Sequence, residues 1–477
     1  MATEGSERAG ARAEAAGWRA GAAEVDVTPP IGSVLAGYAG RTQPSTHVLD
    51  PLRAQCLVLD DGRGRRCALI TMDLIGIGHD LVVETRSLIT EATGIPSDHA
   101  LIAATHTHAG PRGSHPVQAS VPGLAQRLAG AARAAVHALR PALLSFGSGD
   151  CDSVQLNRRD VAGPIDPEVA VLRVQDAADG RLIAALVNFA CHPTILSPNQ
   201  LGIAADYPGA LRAAVRALCG ADAVVLFANG ACADINPTKL TQDSAETRRV
   251  GTIAGAEAAR VLEELRSLHG DLVVSTPAEE PPGSVGGWGM ARKAISSRYL
   301  RLDQPSIAAA LRMVSLPTRA LPEPAVTEAE IARVREALPS LPVGDPERRR
   351  QRFLLMRLQM EYRRGPREAE TREVEVQGLC LGGRLVFVTA PGELFVEIGL
   401  QAKRALTAAD AVPVVVGYAN DSAGYLPTDS AFDWHGYEVS VSPYDRGMEK
   451  ALLDGMLAVA SGALGLAVHA GISLAAR

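Results

Sequence analysis

Residues 105–111, with the sequence THTHAGP, hold two histidines, His106 and His108, directly after the apolar run Ala100–Ala104. The apolar run predicts a buried strand, and side chains two residues apart on an extended chain point to the same side. Two imidazoles at a strand end are typical of a metal-binding or catalytic site, because neutral imidazole is the commonest metal ligand in proteins. A surface turn can carry the same pattern, so the interpretation needs support from elsewhere in the chain.

Residues with ligand or acid–base chemistry follow five other predicted strands in the same way. They are Asp73, His192 with Asp206 shortly after it, residues 229–237, Glu393 and Tyr425. Ligands in α/β proteins gather outside the carboxyl ends of strands, so we expect these loops to converge. Structural alternatives exist: an Asp or Asn can cap a helix, His192 can be a satisfied core histidine, and Glu393 can favour a helix N-terminus.

The elements that would position these residues alternate between strand and helix over the first two-thirds of the chain. The predicted strands there are 67–73, 100–105, 182–189 and 223–228, and the predicted helices are 80–93, 123–139, 206–218 and 245–268. Strand patterns return at 373–381, 384–390 and 413–419, before a helix that begins near Tyr444. This order predicts an α/β (mixed α+β) fold with a mixed, partly parallel sheet flanked by helices.

One domain is predicted over residues 16–477, after a disordered tail at 1–15 that has no apolar leader. Residues 277–370 are predicted to be an inserted loop followed by a charged helical segment. In this segment, Thr327 and Glu330 have the spacing of a capping box, and the helix is expected to resume after a proline-containing break and end near Arg364.

Composition excludes several classes of protein. The net charge of -6 provides no basic stripe for nucleic acid. Seven scattered cysteines without CxxC spacing favour a reducing compartment over a disulfide framework, so a cytoplasmic location is expected. The Ala- and Gly-rich tail after Met456 is weak material for a membrane span, and no stable membrane insertion is expected. The oligomeric state is left open.

Several motifs in a fixed order make the chain resemble the neutral/alkaline non-lysosomal ceramidase family. They are THTHAGP, LNR at 156–158, NFACHPT, NGACADINP, APGE and NDSAGYLPT. The resemblance runs from about residue 21 to about residue 464. It covers the catalytic domain of that family and not its C-terminal immunoglobulin-like domain.

The resemblance implies a zinc-dependent amidase with one Zn²⁺ per chain. The implied metal ligands are His106, His192, Glu393 and Tyr425. His108 would transfer protons or orient the substrate, while Asp73 and Asp206 would be the carboxylates that fix imidazole tautomers. Mn²⁺ or Fe²⁺ could occupy the same nitrogen and oxygen ligands.

The chain departs from the family at Asn236, which stands where the family motif has a serine. Asparagine is not a nucleophile, but its amide can donate to a developing oxyanion, as Tyr425 also can. The resemblance, together with this departure, implies a hydrolase that cleaves a linear amide (N-acyl) bond by metal-activated water, acting on a small-molecule or acyl-amide substrate other than ceramide. The alternatives are a metal-dependent esterase, lactonase or phosphoesterase, a non-catalytic metal-binding homologue, and an enzyme of lipid surfaces.

Overall fold

The structure is a computed structural model that describes residues 17–38, 41–111, 121–269, 299–342, 345–364, 368–434 and 436–466. The tail predicted at 1–15 and the loop predicted at 277–289 lie outside these residues. The assignment of 16–477 to one domain stays a prediction.

Nineteen strands lie in the described part of the chain. They are β1 (Arg19–Asp26), β2 (His47–Val48), β3 (Arg53–Asp60), β4 (Arg66–Met72), β5 (Ala100–Ala104), β6 (Arg140–Asp150), β7 (Gln155–Asn157), β8 (Glu168–Asp176), β9 (Leu182–Phe189), β10 (Gly202–Ile203), β11 (Val224–Asn229), β12 (Ile235–Pro237), β13 (Leu300–Arg301), β14 (Ile307–Pro317), β15 (Thr371–Leu381), β16 (Leu385–Thr389), β17 (Glu393–Leu394), β18 (Val412–Val416) and β19 (Tyr425–Leu426).

The α-helices of the same residues are α1 (His79–Thr93), α2 (Leu124–His137), α3 (Tyr207–Cys219), α4 (Ser244–Arg266), α5 (Pro324–Ala337), α6 (Pro346–Arg364), α7 (Val396–Ala408), α8 (Ala431–Trp434), α9 (Tyr437–Val441) and α10 (Met448–Leu464).

Two mixed sheets form the framework. The larger has the order β11-β9-β8-β6-β1-β3-β4-β5, with β13 added beside β6, and the smaller has the order β14-β15-β16-β18. The outer pairs β4·β5 and β9·β11 and the pair β16·β18 are parallel, whereas the strands between them are antiparallel. The prediction of a mixed, partly parallel α/β fold is confirmed.

Alternating side chains bury both faces of each sheet. On β3, Leu57 and Leu59 face the smaller sheet, while Cys56 and Val58 face α1 and α2. Helices α3 and α4 cover the rest of that outer face, and α7 and α10 cover the outer face of the smaller sheet. The fold is therefore layered as helix, sheet, sheet and helix, and each fully buried Leu contributes about 1.5–3 kcal/mol to its stability.

Hydrogen bonds hold the carboxyl ends of the strands of the two sheets together. The side-chain amide of Asn188, on β9, donates to the Val415 carbonyl of β18 at 3.0 Å. Just beyond β18, the backbone N–H of Gly417 donates to the carbonyl of Asn229, on β11, at 2.9 Å. The loops that follow these strands therefore begin close together in space.

Two local predictions in the segment 277–370 are wrong. The segment contains β14, which pairs along its whole length with β15 and so belongs to the smaller sheet. The capping box is also absent, because α5 begins at Pro324 and Thr327 lies in its first turn. Glu330 instead pairs with Arg333 one turn later. The predicted break and the second helix ending at Arg364 are confirmed.

Candidate active site

The two histidines of THTH lie beyond their strand and not on it. Strand β5 ends at Ala104, and His106 has a left-handed backbone with φ 69°, which is rare for a residue other than glycine. The two Nε2 atoms of His106 and His108 come within 3.2 Å of each other. The predicted convergence is therefore present, but a left-handed turn produces it instead of strand alternation. Such strained backbone is typical of functional sites.

Backbone carbonyls fix the orientation of two of the imidazoles. Nδ1 of His106 donates to the Ile75 carbonyl at 2.5 Å, and Nδ1 of His192 donates to the Cys232 carbonyl at 2.7 Å. Because Nδ1 carries the proton in each ring, Nε2 is left with the lone pair that a metal ion requires. His106 and His192 thus present matching nitrogens to a shared space.

The predicted role of Asp73 and Asp206 as tautomer-fixing carboxylates is corrected by this geometry. Both oxygens of Asp73 accept from Arg212, at 2.8 and 2.6 Å, in a fully buried ion pair. Asp206 caps helix α3 and accepts from the backbone N–H groups of Tyr207 and Leu196. Both carboxylates stabilise the loops around the site without contacting the imidazoles.

Glu393 lies opposite the two ligand-type nitrogens. Its Oε2 is 3.6 Å from Nε2 of His106 and 3.4 Å from Nε2 of His192. Ligand atoms about 2.0–2.1 Å from a tetrahedral zinc ion lie roughly 3.3 Å apart, so these spacings fit a shared ion. Nε2 of His192 and Oε2 of Glu393 are buried and have no hydrogen-bond partner among the described residues.

The charges at the cluster also suit a cation. Burial lowers the pKa of His192 to about 4, so the ring is neutral at pH 7. Burial alone would raise the pKa of Glu393, yet His106 and His192 hold it well below its usual range. Burial and the other two imidazoles keep the pKa of His108 well below its ordinary value. The carboxylate of Glu393 would therefore offset one of the two positive charges of a bound divalent ion.

His108 completes the group of three buried histidines whose ligand atoms lie within 4.8 Å of one another. Nε2 of His108 is 3.2 Å from Nε2 of His106, which is closer than the 3.6 Å that separates Oε2 of Glu393 from the same atom. The geometry therefore makes His108 a candidate ligand as well as the predicted proton-transfer group. Its Nδ1 is buried without a hydrogen-bond partner in the described part of the chain. The ring packs edge-on against Tyr38, with the centroids 5.0 Å apart.

Tyr425 and Asn236 lie beside the cluster and are joined by Arg158. The guanidinium of Arg158 donates to the Tyr425 hydroxyl at 3.3 Å and to Oδ1 of Asn236 at 3.2 Å. Tyr425 also pairs directly with Glu393 through the short parallel strands β17 and β19. Burial and the neighbouring Glu393 raise the pKa of Tyr425 well above its usual value, so this hydroxyl stays protonated in the metal-free protein.

Sequence reasoning assigned no role to four further residues at the site. They are Arg158, Tyr418, Tyr437 and Glu438. Arg158 lies in the LNR motif, which was the only signal for it. Glu438 accepts from Arg158 at 2.7 Å and from Arg159 at 2.8 Å, and the Tyr437 ring lies edge-on to Tyr425 with the centroids 5.7 Å apart.

The backbone of Gly37 lies against the ring of His108, so a methyl group added at position 37 is expected to displace that ring. A Cβ at position 37 would lie 2.4 Å from Cγ and Nδ1 of His108, so Gly37→Ala must displace the imidazole. We expect the rate of hydrolysis to fall by about 10²-fold, as for a misplacement of about 1 Å, while bound metal is retained. Steady-state kinetics and metal analysis of the purified variant would measure both effects.

Gly32 offers a matched control for that substitution. It has the same φ of +93° as Gly37, but a Cβ there meets no atom within 4 Å. Gly32→Ala therefore carries the same backbone strain without the clash and is expected to keep its activity. Equal losses in the two variants would show that strain, and not the position of His108, causes the effect.

The fold and the site together define the class: a layered α/β protein with a buried histidine–glutamate cluster of metal-site character at its strand ends. Residues 18–240 match the family described as neutral/alkaline non-lysosomal ceramidase, N-terminal. The resemblance seen in the motifs is thereby confirmed, and this part of the chain is similar to the neutral/alkaline non-lysosomal ceramidases.

The neutral ceramidase of Pseudomonas aeruginosa is 29% identical over 227 residues, which cover 41% of this chain and 34% of that protein. The match therefore spans about a third of the length of this curated relative. The crystal structure of the neutral ceramidase from P. aeruginosa matches with a TM-score of 0.69 at 19% identity, covering 96% of this chain and 76% of that chain. A ceramidase complexed with C2 matches with a TM-score of 0.69 at 18% identity, over 95% and 76%.

The two kinds of match support different parts of the site. His106, His108 and His192 lie inside the residues that match the family. Glu393 and Tyr425 lie outside them, where the similarity to solved structures shows the shared fold. Their place at the site therefore rests on the geometry of this chain.

Proposed function

We propose that this protein is a zinc-dependent hydrolase that cleaves a linear amide (N-acyl) bond with metal-activated water. The observation that carries the proposal is the buried cluster of His106, His192 and Glu393, in which Oε2 of Glu393 lies at tetrahedral ligand spacing from Nε2 of each histidine. Two of these atoms have no other hydrogen-bond partner among the described residues. The relationship to the ceramidases supports amide cleavage as the reaction.

When bound, zinc would supply Lewis acidity and lower the pKa of a coordinated water from 15.7 to about 7. Nε2 of His108, neutral at pH 7 and 3.2 Å from His106, can accept a proton from water and return it to the leaving amine. The Tyr425 hydroxyl accepts from Arg158, so its own proton is left to donate to the carbonyl oxygen of the substrate. Tyr425 is also proposed to be the fourth metal ligand.

A substrate other than ceramide is part of this proposal, and Asn236 supports it. Oδ1 of Asn236 accepts from Arg158 at 3.2 Å, so the amide N–H groups face away from the guanidinium. A serine at this position is one bond shorter and carries no amide. Compared with a serine, Asn236 therefore changes both the orientation of Arg158 and the hydrogen-bond donor that faces a substrate.

Asn236→Ser restores the family residue and tests that point. A hydrogen bond to a charged group contributes about 1.5–3 kcal/mol, so we expect kcat/KM for the preferred amide to fall roughly 10–100-fold. The ratio of kcat/KM for ceramide to that for a short N-acyl amine should rise, with bound zinc unchanged. An unaltered ratio would argue against Asn236 as a determinant of substrate choice.

The function itself is tested by metal analysis followed by a substrate screen. We expect about one zinc ion per chain, and hydrolysis of N-acyl amines or N-acyl amino acids that disappears after chelation and returns with Zn²⁺. Two equivalents of metal together with phosphoesterase activity would overturn the proposal. So would bound zinc without turnover of any N-acyl amide.

We further propose a cytoplasmic location. All seven cysteines are free, which supports a reducing compartment. Separately, no helix in the described part of the chain is both long enough and apolar enough to cross a bilayer.

A further inference from the structure

Tyr418 packs directly behind the candidate metal site. Its ring stacks on His106 with the centroids 4.0 Å apart and the planes at 22°, and it lies edge-on to His192 at 6.3 Å. The side chain is only 3% exposed. No other aromatic ring of the described residues stacks in parallel on one of the three clustered histidines.

The backbone of Tyr418 is held in an unfavourable conformation. Its φ of 55° is in the left-handed region, which is an outlier for a bulky residue and costs of order 1–3 kcal/mol. Two hydrogen bonds hold it there: the N–H donates to the Gly392 carbonyl at 3.2 Å, and the carbonyl accepts from Ala104 at 3.1 Å. Gly392 precedes Glu393 and Ala104 lies two residues before His106, so the strain is maintained by the segments that carry two candidate ligands.

The hydroxyl of Tyr418 reaches the residue that orients His192. It lies 3.1 Å from Sγ of Cys232, and the carbonyl of the same Cys232 accepts from Nδ1 of His192 at 2.7 Å. The side chain of Tyr418 therefore packs on the ring of His106. It also contacts Cys232, the residue that fixes the tautomer of His192.

We propose that Tyr418 is a positioning residue that organises the metal centre before the ion binds. Its ring restricts His106 to the orientation that directs Nε2 at the site, and its hydroxyl holds Cys232 so that the carbonyl keeps His192 in register. The inference rests on the proposed metal site and adds a residue that the sequence did not single out. It requires no change in the protonation of Tyr418.

Zinc affinity separates this role from a merely structural one. Tyr418→Leu removes both the stacked ring and the hydroxyl, whereas Tyr418→Phe removes only the hydroxyl. Outer-shell partners of metal ligands are typically worth 10–100-fold in affinity, so the Kd for Zn²⁺ of Tyr418→Leu should rise by about that factor. The Kd of Tyr418→Phe should lie between that of Tyr418→Leu and that of the wild type. Competition against a chromogenic chelator measures Kd, and the visible spectrum of the Co²⁺-loaded protein reports ligand geometry without any substrate.

Phe146→Leu is the matched control. Phe146 is 3% exposed in the core between the sheets, so its replacement removes a comparable buried ring away from the imidazoles. It should lower the Tm of the metal-free protein while leaving the Kd for Zn²⁺ and the Co²⁺ spectrum unchanged. A Tyr418→Leu protein with the Kd and spectrum of the wild type would overturn the inference.

If Tyr418→Leu does not fold, Tyr418→Phe and Cys232→Ala decide the question. Both remove the hydroxyl–thiol contact, so each should weaken Zn²⁺ binding, and the double variant should be no weaker than the worse of the two. Wild-type affinity in Tyr418→Phe would then contradict the proposal. Failure of the proposed function looks different: a wild-type protein that binds zinc but cleaves no N-acyl amide leaves these affinity measurements intact.

Discussion

Replacement of His192 by alanine is expected to abolish zinc binding and to lower amide hydrolysis by at least roughly 10³-fold, because water without the metal keeps a pKa near 15.7. His192 is fully buried, and its Nε2 has no hydrogen-bond partner in the described part of the chain. Loss of this ring removes one of the three clustered ligands and leaves only His106 and Glu393 of that cluster. Metal content by atomic emission and steady-state kinetics on an N-acyl amide would measure the two losses in one preparation.

His99 supplies the control for this variant. Its Nδ1 also bonds a backbone carbonyl, that of Arg66 at 2.9 Å, but the residue lies at the opposite end of β5 from the site. His99→Ala is therefore expected to keep about one zinc ion per chain and its activity. A His192→Ala protein that retained both zinc and hydrolysis would rule out the proposed centre.

The sequence predicted the ligand-type residues better than the backbone that brings them together. The motif THTH identified His106 and His108, and their convergence at a strand end is present. Strand periodicity could not reveal that His106 adopts a left-handed backbone, because that conformation is imposed by neighbours far along the chain. The carbonyl of Ile75 and the ring of Tyr418 are among those neighbours, and neither has a local signature.

Partners of the charged residues were also hidden in the sequence. Arg158 and Glu438 form one ion pair although 280 residues separate them, and nothing in the spacing of either residue indicates the other. The same is true of β14, which becomes a strand because it pairs with β15, although the charged helices α5 and α6 separate the two strands in the sequence. Long, periodic helices such as α4 were predicted well because their pattern is local.

Asp73 illustrates how a residue of ligand chemistry can be a structural one, and its replacement is expected to have a large effect on stability. Its carboxylate and the guanidinium of Arg212 are 0% and 5% exposed and form two hydrogen bonds. Burial opposes the charge of Arg212, but Asp73 raises the pKa of that guanidinium, so the group remains charged. Asp73→Asn leaves a buried charge without its counter-ion, which costs about 3–5 kcal/mol in the free energy of unfolding.

Denaturant unfolding of the metal-free protein measures that loss without any contribution from bound ions. The double variant Asp73→Leu/Arg212→Met removes both charges and is expected to recover most of the stability, because no unpaired charge is left. Asp179→Asn disrupts an ion pair of the same 2.6 Å length at an exposed turn and should leave the unfolding midpoint unchanged. If Asp73→Asn instead lost zinc or activity at unchanged stability, Asp73 would act on the imidazoles after all. The carbonyl bonds of Ile75 and Cys232 would then not be sufficient to orient them.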